Sequence, residues 1–116
     1  MSDLTGKVAI VTGAARGLGA AIVHRLTADG ASVVAVDKRA NALTELASEA
    51  GASTAVFDVT DEAAWDSTVE QVVDDHGRLD ILVNNAGIFG VTPILECEPD
   101  DFRKVVDTNL VGTFLG

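Results

Sequence analysis

Three glycines in TGAARGLG, residues 12–19, stand where an apolar run, VAIV, gives way to a helical pattern, AAIVHRL. A glycine has no Cβ, so an anion can come close to the backbone N–H groups around it. A helix beginning at that point adds the positive end of its dipole. In the spacing G-x-x-x-G-x-G, Gly13 would turn the chain sharply out of a strand, Gly17 would open the backbone to phosphates, and Gly19 would let the helix pack close to a sheet. The chemistry this arrangement suits is the grip on a dinucleotide pyrophosphate. The bland alternative is an ordinary flexible turn.

Asp37 ends the next apolar run, SVVAVD. A carboxylate there can accept hydrogen bonds from both ribose hydroxyls of an adenosine and would repel a 2′-phosphate, or it can serve as a turn or cap residue. Lys38, Arg39 and Arg16 lie near it in sequence, and cations beside the ribose would tolerate the extra phosphate. NAD is favoured over NADP, with NADP left open.

These residues need a frame to hold them. KVAIVT (7–12), SVVAVD (32–37), TAVFDV (54–59) and LDILVN (79–84) are short, nearly continuous apolar runs, as expected for strands buried on both faces. Helical periods fall at 17–29, 40–50 and 61–76, the last with Trp65, Val69, Val72 and Val73 on one stripe. Gly30, Gly51 and Gly77 each follow a helix, where a left-handed residue is expected. Strand and helix alternating with short links predict a doubly wound, Rossmann-type parallel sheet with helices on both faces. A fourth helix is predicted from Glu98-Pro99-Asp100-Asp101, with proline at its first position and acids in its first turn. Its stripe of Phe102, Val105, Val106, Asn109, Leu110, Thr113 and Phe114 runs to the last residues with no stop signal. Periodicity therefore implies a chain cut inside a longer fold.

At 116 residues, 47% of them hydrophobic, the chain makes one globular domain. Eight Lys and Arg against eighteen Asp and Glu leave a formal charge of −10, which disfavours nucleic acid and anionic membranes as partners. A small anion held by backbone N–H groups is still compatible. The one cysteine, Cys97, points to a reducing compartment, and the cytoplasm is the expected location. Cys97 reads as an inert small side chain, and His24 and His76 lack metal-site spacing, so no metal is expected.

Four segments in order, TGAARGLG at 12–19, DV at 58–59, NNAG at 84–87 and NLVG at 109–112, resemble the short-chain dehydrogenase/reductase family, in its TGxxxGxG branch. The resemblance covers essentially the whole chain. It implies that Thr12, Gly13, Arg16, Gly17, Leu18 and Gly19 line the pyrophosphate and adenosine side, with Asp37, and Lys38 next to it, at the ribose. It implies that Asp58 and Val59, at the end of the third strand, contact the adenine. Asn85, Ala86 and Gly87 would meet the cofactor on its nicotinamide side. Asp58 is equally readable as part of the turn before a helix cap at Thr60 and Asp61. Asn84 and Asn85 are also ordinary turn formers.

Asn109 lies on the apolar stripe of the fourth helix, so its amide is expected to be buried and to need a partner. The resemblance implies that this asparagine interrupts the helix and holds a water leading to a catalytic lysine; a structural asparagine bonded to a carbonyl is the alternative. The family's chemistry also needs a tyrosine, a lysine and a serine, and this sequence contains no tyrosine. Asn109 is then the one catalytic candidate, and residues 1–116 are expected to bind a dinucleotide without turning over substrate.

The expected parent is an NAD(P)-dependent oxidoreductase acting on a small alcohol or ketone and forming a homodimer or homotetramer. A non-catalytic nucleotide-binding module is the alternative, and an S-adenosylmethionine methyltransferase is a more distant one. Phe89, Val91 and Ile94 are candidates either for a pocket wall or for a cover over the sheet.

Overall fold

A computed structural model describes residues 3–88 and 92–116. Strand β1 (Val8–Thr12) leads through helix α1 (Gly17–Ala28) to β2 (Ser32–Asp37), then α2 (Ala40–Ala50), β3 (Ser53–Val56), α3 (Glu62–His76) and β4 (Ile81–Val83). All pairings are parallel, and the strand order is β3-β2-β1-β4. The doubly wound architecture expected from the alternation is therefore the one observed.

Each face of the sheet carries its own core. Ala9 and Val11 of β1 pack with Val33 and Ala35 of β2 against Val23 of α1 and Leu43 and Leu46 of α2. On the other face Ile10, Val34 and Val36 pack against Trp65 and Val72 of α3. The alternation follows from the two-residue period of a strand, which sends neighbouring side chains to opposite faces.

The expectation of strands buried on both faces holds for β1 and β2 and fails for the outer two. β3 is largely exposed and β4 half-buried, because each has a strand neighbour on one side only among the described residues. Both are also shorter than the apolar runs that suggested them. Asp58 and Val59 consequently lie beyond β3, in the turn before α3, instead of at the strand's end.

Gly51 and Gly77 cap α2 and α3 with φ of 76° and 79°, a conformation in which a Cβ would be strained. Asp61 caps the start of α3 by accepting a hydrogen bond from the Ala64 N–H at 3.1 Å. Within α3, Val73 departs from the expected stripe and is exposed.

Helix α4 (Pro99–Val106) passes into a π-helical turn at Asp107–Val111 and then into α5 (Gly112–Leu115). The stripe predicted along this segment has little to pack on: Phe102, Leu110 and Phe114 are exposed. Firm contacts occur at Gly112, where an added Cβ would lie 2.6 Å from Val59 Cγ2, and at Leu115, which packs against the cluster around Val59 and Trp65.

Candidate functional site

β1 pairs with β2 on one side and β4 on the other, while the connections after β1 and β3 cover opposite faces. The crevice at the carboxyl ends of β1 and β4 is thus the place where an open α/β sheet accommodates a ligand. The glycine turn fills one side of it. Gly13 has φ +63°, and a Cβ there would fall 2.9 Å from Ala86 Cα, so the turn and the loop after β4 approach as closely as glycine permits. At Gly19 a Cβ would collide with the Gly13 carbonyl oxygen. Gly17 differs: its φ is +59°, yet a Cβ would meet nothing within 4 Å. Two of the glycines are used for packing, and the third leaves its backbone facing open space.

That space adjoins the start of α1. Arg16, the residue before the helix, places no side-chain cap on it, and its first turn carries no acid. The first N–H groups of a helix have no intrahelical partners. An anion can therefore be received there by main-chain donors and the helix dipole despite the negative net charge.

Thr12 and Asn85 lock the turn to the loop after β4. The Thr12 hydroxyl, which is buried, accepts hydrogen bonds from the N–H groups of Asn85 and Ala86 at 3.0 and 2.9 Å. The Asn85 amide returns donors to the carbonyls of Thr12 and Gly13, each at 3.2 Å. These two residues shape the cleft by their bonds to backbone.

Asp37 is buried on the opposite wall. Its Oδ2 accepts from the Ala15 N–H at 3.1 Å and its Oδ1 from the Arg39 N–H at 2.9 Å, with Arg39 Nη1 3.5 Å from the same oxygen. Asp37, Lys38, Arg39, Asp58 and Val59 line a cavity of about 410 Å³, counting its open mouth, that continues toward Gly87. A second, more open recess shares Gly13, Asp37 and Ala86 and runs past Arg16, Gly17 and Leu18. Leu18 is 70% exposed beside it, an apolar side chain left uncovered at the mouth.

Asp58 turns its Oδ1 onto Thr60, accepting from the N–H at 3.0 Å and the hydroxyl at 2.8 Å. The Thr60 N–H, then its hydroxyl, hold the Asp58 carboxyl below its ordinary pKa, with Lys38 and Lys104 adding a smaller pull in the same direction. Asp58 thus lines the cleft and belongs to the turn at once, while Asp61 is the helix cap. Val59 is buried beneath Gly112, and its carbonyl accepts the Trp65 indole N–H at 2.8 Å.

Asn109 requires a correction. Its residue is exposed, because the helix face expected to bury it has no cover. Its amide is nevertheless engaged at both ends: Oδ1 accepts from the Ile88 N–H at 2.8 Å, and Nδ2 donates to the Ile88 carbonyl at 2.7 Å. The partner is the backbone of the loop after β4, and the helix is interrupted at this residue by the π-helical turn. Ile88 and Thr108, which also line the cleft, carry no signal in the sequence that marks them.

Ile94 is 89% exposed and, among the described residues, lines neither of the two recesses above. Phe89 and Val91 lie outside the described residues. Cys97 is exposed, and among the described residues no group of three or more His, Cys, Asp or Glu side chains is placed to hold a metal ion. No helix among them is long and apolar enough to cross a membrane.

Residues 7–116 match the family model described as short chain dehydrogenase. The chain belongs to the short-chain dehydrogenase family. It is similar to a mitochondrial borneol dehydrogenase of Lavandula x intermedia, with 40% identity over 115 residues, 97% of this chain and 44% of that protein. A galactitol 2-dehydrogenase of Agrobacterium fabrum is 43% identical over 111 residues, 94% of this chain and 43% of the relative. Among solved structures, a short chain dehydrogenase from Bacillus anthracis superposes with a TM-score of 0.92 at 30% identity, covering 95% of this chain and 48% of that one. The short-chain dehydrogenase chain described here spans less than half the length of these proteins.

Proposed function

We propose that residues 1–116 form the dinucleotide-binding domain of an NAD-dependent oxidoreductase whose substrate is a small alcohol or ketone. The observation that carries this reading is Gly17: a left-handed glycine facing open space at the uncapped start of α1, across the crevice from the buried carboxylate of Asp37. A diphosphate fits this cradle because main-chain donors and a helix dipole need no cationic side chain.

In this reading Thr12, Gly13, Arg16, Gly17, Leu18 and Gly19 form the phosphate side, and Asp37 with Lys38 holds the adenosine ribose. Asp58 and Val59 face the adenine, while Asn85, Ala86 and Gly87 face the nicotinamide. When bound, the nicotinamide would supply hydride transfer. The chain's own part is to orient it, through the loop that Thr12 and Asn109 fasten at its two ends. Asn109 is the catalytic-group candidate within these residues. NAD is preferred because Asp37 places a negative charge where NADP carries its 2′-phosphate. Arg39 does not offset this freely, since its guanidinium already lies against Asp37.

The names of the relatives support an alcohol as substrate, and a homodimer or homotetramer is the expected assembly of the parent. The single cysteine supports a reducing compartment, the cytoplasm, as its location. Without tyrosine these residues hold no phenol to serve as general acid or base, so they are expected to bind without turnover.

Calorimetric titration with NAD, NADP and S-adenosylmethionine tests the reading. NAD is expected to bind more tightly than NADP, and S-adenosylmethionine not measurably. Absence of NAD binding would overturn the proposal, and oxidation of an alcohol by the purified 116-residue chain would overturn its claim of inactivity.

A further inference from the structure

We infer that Asp37 positions the phosphate-binding turn as well as meeting the ribose, so that one buried carboxylate couples the two halves of the nucleotide site. The inference rests on the dinucleotide reading above and adds a second role to a residue there assigned only to the sugar.

The turn leaves β1 out of step with β2 by one residue. Val36 is the partner of Thr12 in the parallel ladder, yet its carbonyl accepts the Ala14 N–H, at 3.0 Å. At the next residue the acceptor is a side chain: the Ala15 N–H bonds Asp37 Oδ2 at 3.1 Å in a buried position. Immediately afterwards come Arg16 and Gly17, whose backbone faces the open recess. Ala15 is the last point at which the turn is fastened to β2 before the chain enters α1.

The second oxygen is held too. Oδ1 accepts the Arg39 N–H at 2.9 Å, so the carboxylate is oriented from both sides by main-chain donors before any ligand arrives. A carboxylate oxygen has more than one acceptor direction, and ribose hydroxyls can be met without breaking either bond. Removing the side chain would leave the buried Ala15 N–H without its acceptor, and an unpaired buried donor costs more than the bond itself contributes. The turn would shift to find water, and the N–H groups around Gly17 would shift with it.

The consequence is specific. If Asp37 only gripped hydroxyls, its loss would not change the affinity for a nucleotide that lacks them. With the turn fastened through Ala15, its loss weakens that nucleotide as well. The probes are 5′-ADP and 2′,3′-dideoxy-ADP, titrated against the parent chain and Asp37→Ala, alongside amide hydrogen exchange without ligand. The expected results are a loss of about tenfold or more in dideoxy-ADP affinity and exchange at Ala15 faster by about tenfold or more, with Ala35 protection unchanged. Asp37→Asn keeps one carbonyl oxygen that can accept from Ala15 and is expected to restore both readouts at least in part.

Dideoxy-ADP affinity within about twofold of the parent, unaltered Ala15 exchange, or equal losses in the Asn and Ala variants would each overturn the inference. Should Ala35 lose protection in Asp37→Ala, Asp37→Ser takes its place under the same criteria. Failure of the parent to bind ADP would instead count against the dinucleotide reading, while the exchange arm would still decide whether Asp37 fastens the turn.

Discussion

The glycine turn joins a strand to a helix and the segment from Pro99 to Leu115 is helical along its length; both carry apolar residues, but they are held very differently. The turn is fastened by Thr12, Asn85 and Asp37, each through backbone groups of another element. The later segment touches the sheet side firmly at Gly112 and Leu115 and is clipped by Asn109, leaving Phe102, Leu110 and Phe114 exposed. The radius of gyration reflects this at 15.1 Å, against ~13 Å for a compact chain of such length. The order of the turn thus comes from a few polar bonds at strand ends, and an amphipathic stripe alone does not secure a helix.

The most damaging way to break that comparison is at Gly19. Gly19→Ala puts a methyl group onto the Gly13 carbonyl oxygen and 2.6 Å from Asn85 Nδ2, and neither the turn nor the asparagine can yield without losing bonds. A loss of about 3 kcal/mol in unfolding free energy is expected by urea titration, at the upper end of overpacking costs. Gly17→Ala, with open space around it, is expected to cost only about 1 kcal/mol, for its left-handed conformation, while still weakening nucleotide binding. Equal destabilisation by the two substitutions would show that the glycines do not divide their roles as described.

Thr12→Val comes next in size. It keeps the shape and deletes the acceptor shared by the Asn85 and Ala86 N–H groups. About 2 kcal/mol of stability should be lost, the cost of leaving partly buried donors unpaired, and the loop after β4 should exchange its amides faster. Thr12→Ser, which retains the hydroxyl, should recover most of it.

The parts legible in the sequence were those written in local pattern. β1 and β2 are continuous apolar runs because both neighbours and both faces bury them, and the glycine spacing specifies its turn directly. β3 and β4 looked alike as runs, yet their exposure depends on strand neighbours that no local pattern reports. Asn109 was expected to be buried because the stripe around it implied a covering surface; its true partner, the Ile88 backbone, lies on another element. The bonds from Thr12 and Asp37 were hidden for the same reason, since their partners are main-chain N–H groups, which every residue but proline has.

The opposite end of the sheet offers a smaller, pH-dependent test of how firmly β4 is joined to β1. Asp80 exchanges two bonds with Val8: its N–H donates to the Val8 carbonyl, and its Oδ2 accepts the Val8 N–H, both at 2.9 Å. Arg78, first, and the Val8 N–H, second, hold the Asp80 carboxyl below its ordinary value. A carboxyl lowered in the folded state binds its proton more readily when unfolded. Its contribution to stability is therefore complete above the unfolded pKa of about 3.9 and is lost as pH falls through the lower folded value. Urea midpoints measured down the acid range should fall less steeply in Asp80→Asn than in the parent. Identical slopes would mean that this carboxyl does not contribute to holding β4.

The mildest perturbation sharpens the other half of the comparison. Phe114 and Leu110 are 84% and 67% exposed, so replacing either with serine removes little buried apolar area. Stability should change by no more than about 0.5 kcal/mol, as for surface sites free of special contacts. What should change is association between molecules, because adjacent exposed apolar side chains form the kind of patch that seeks a partner. Sedimentation velocity over a concentration series is expected to show less self-association in the double variant Leu110→Ser, Phe114→Ser. Gly112→Ala, on the same segment, should behave oppositely: its methyl would press on Val59 Cγ2 at 2.6 Å and loosen the segment where it is anchored. If the serine variants instead cost more than about 1 kcal/mol, the stripe is packed in solution, and the contrast between a fastened turn and a loosely held helix does not hold.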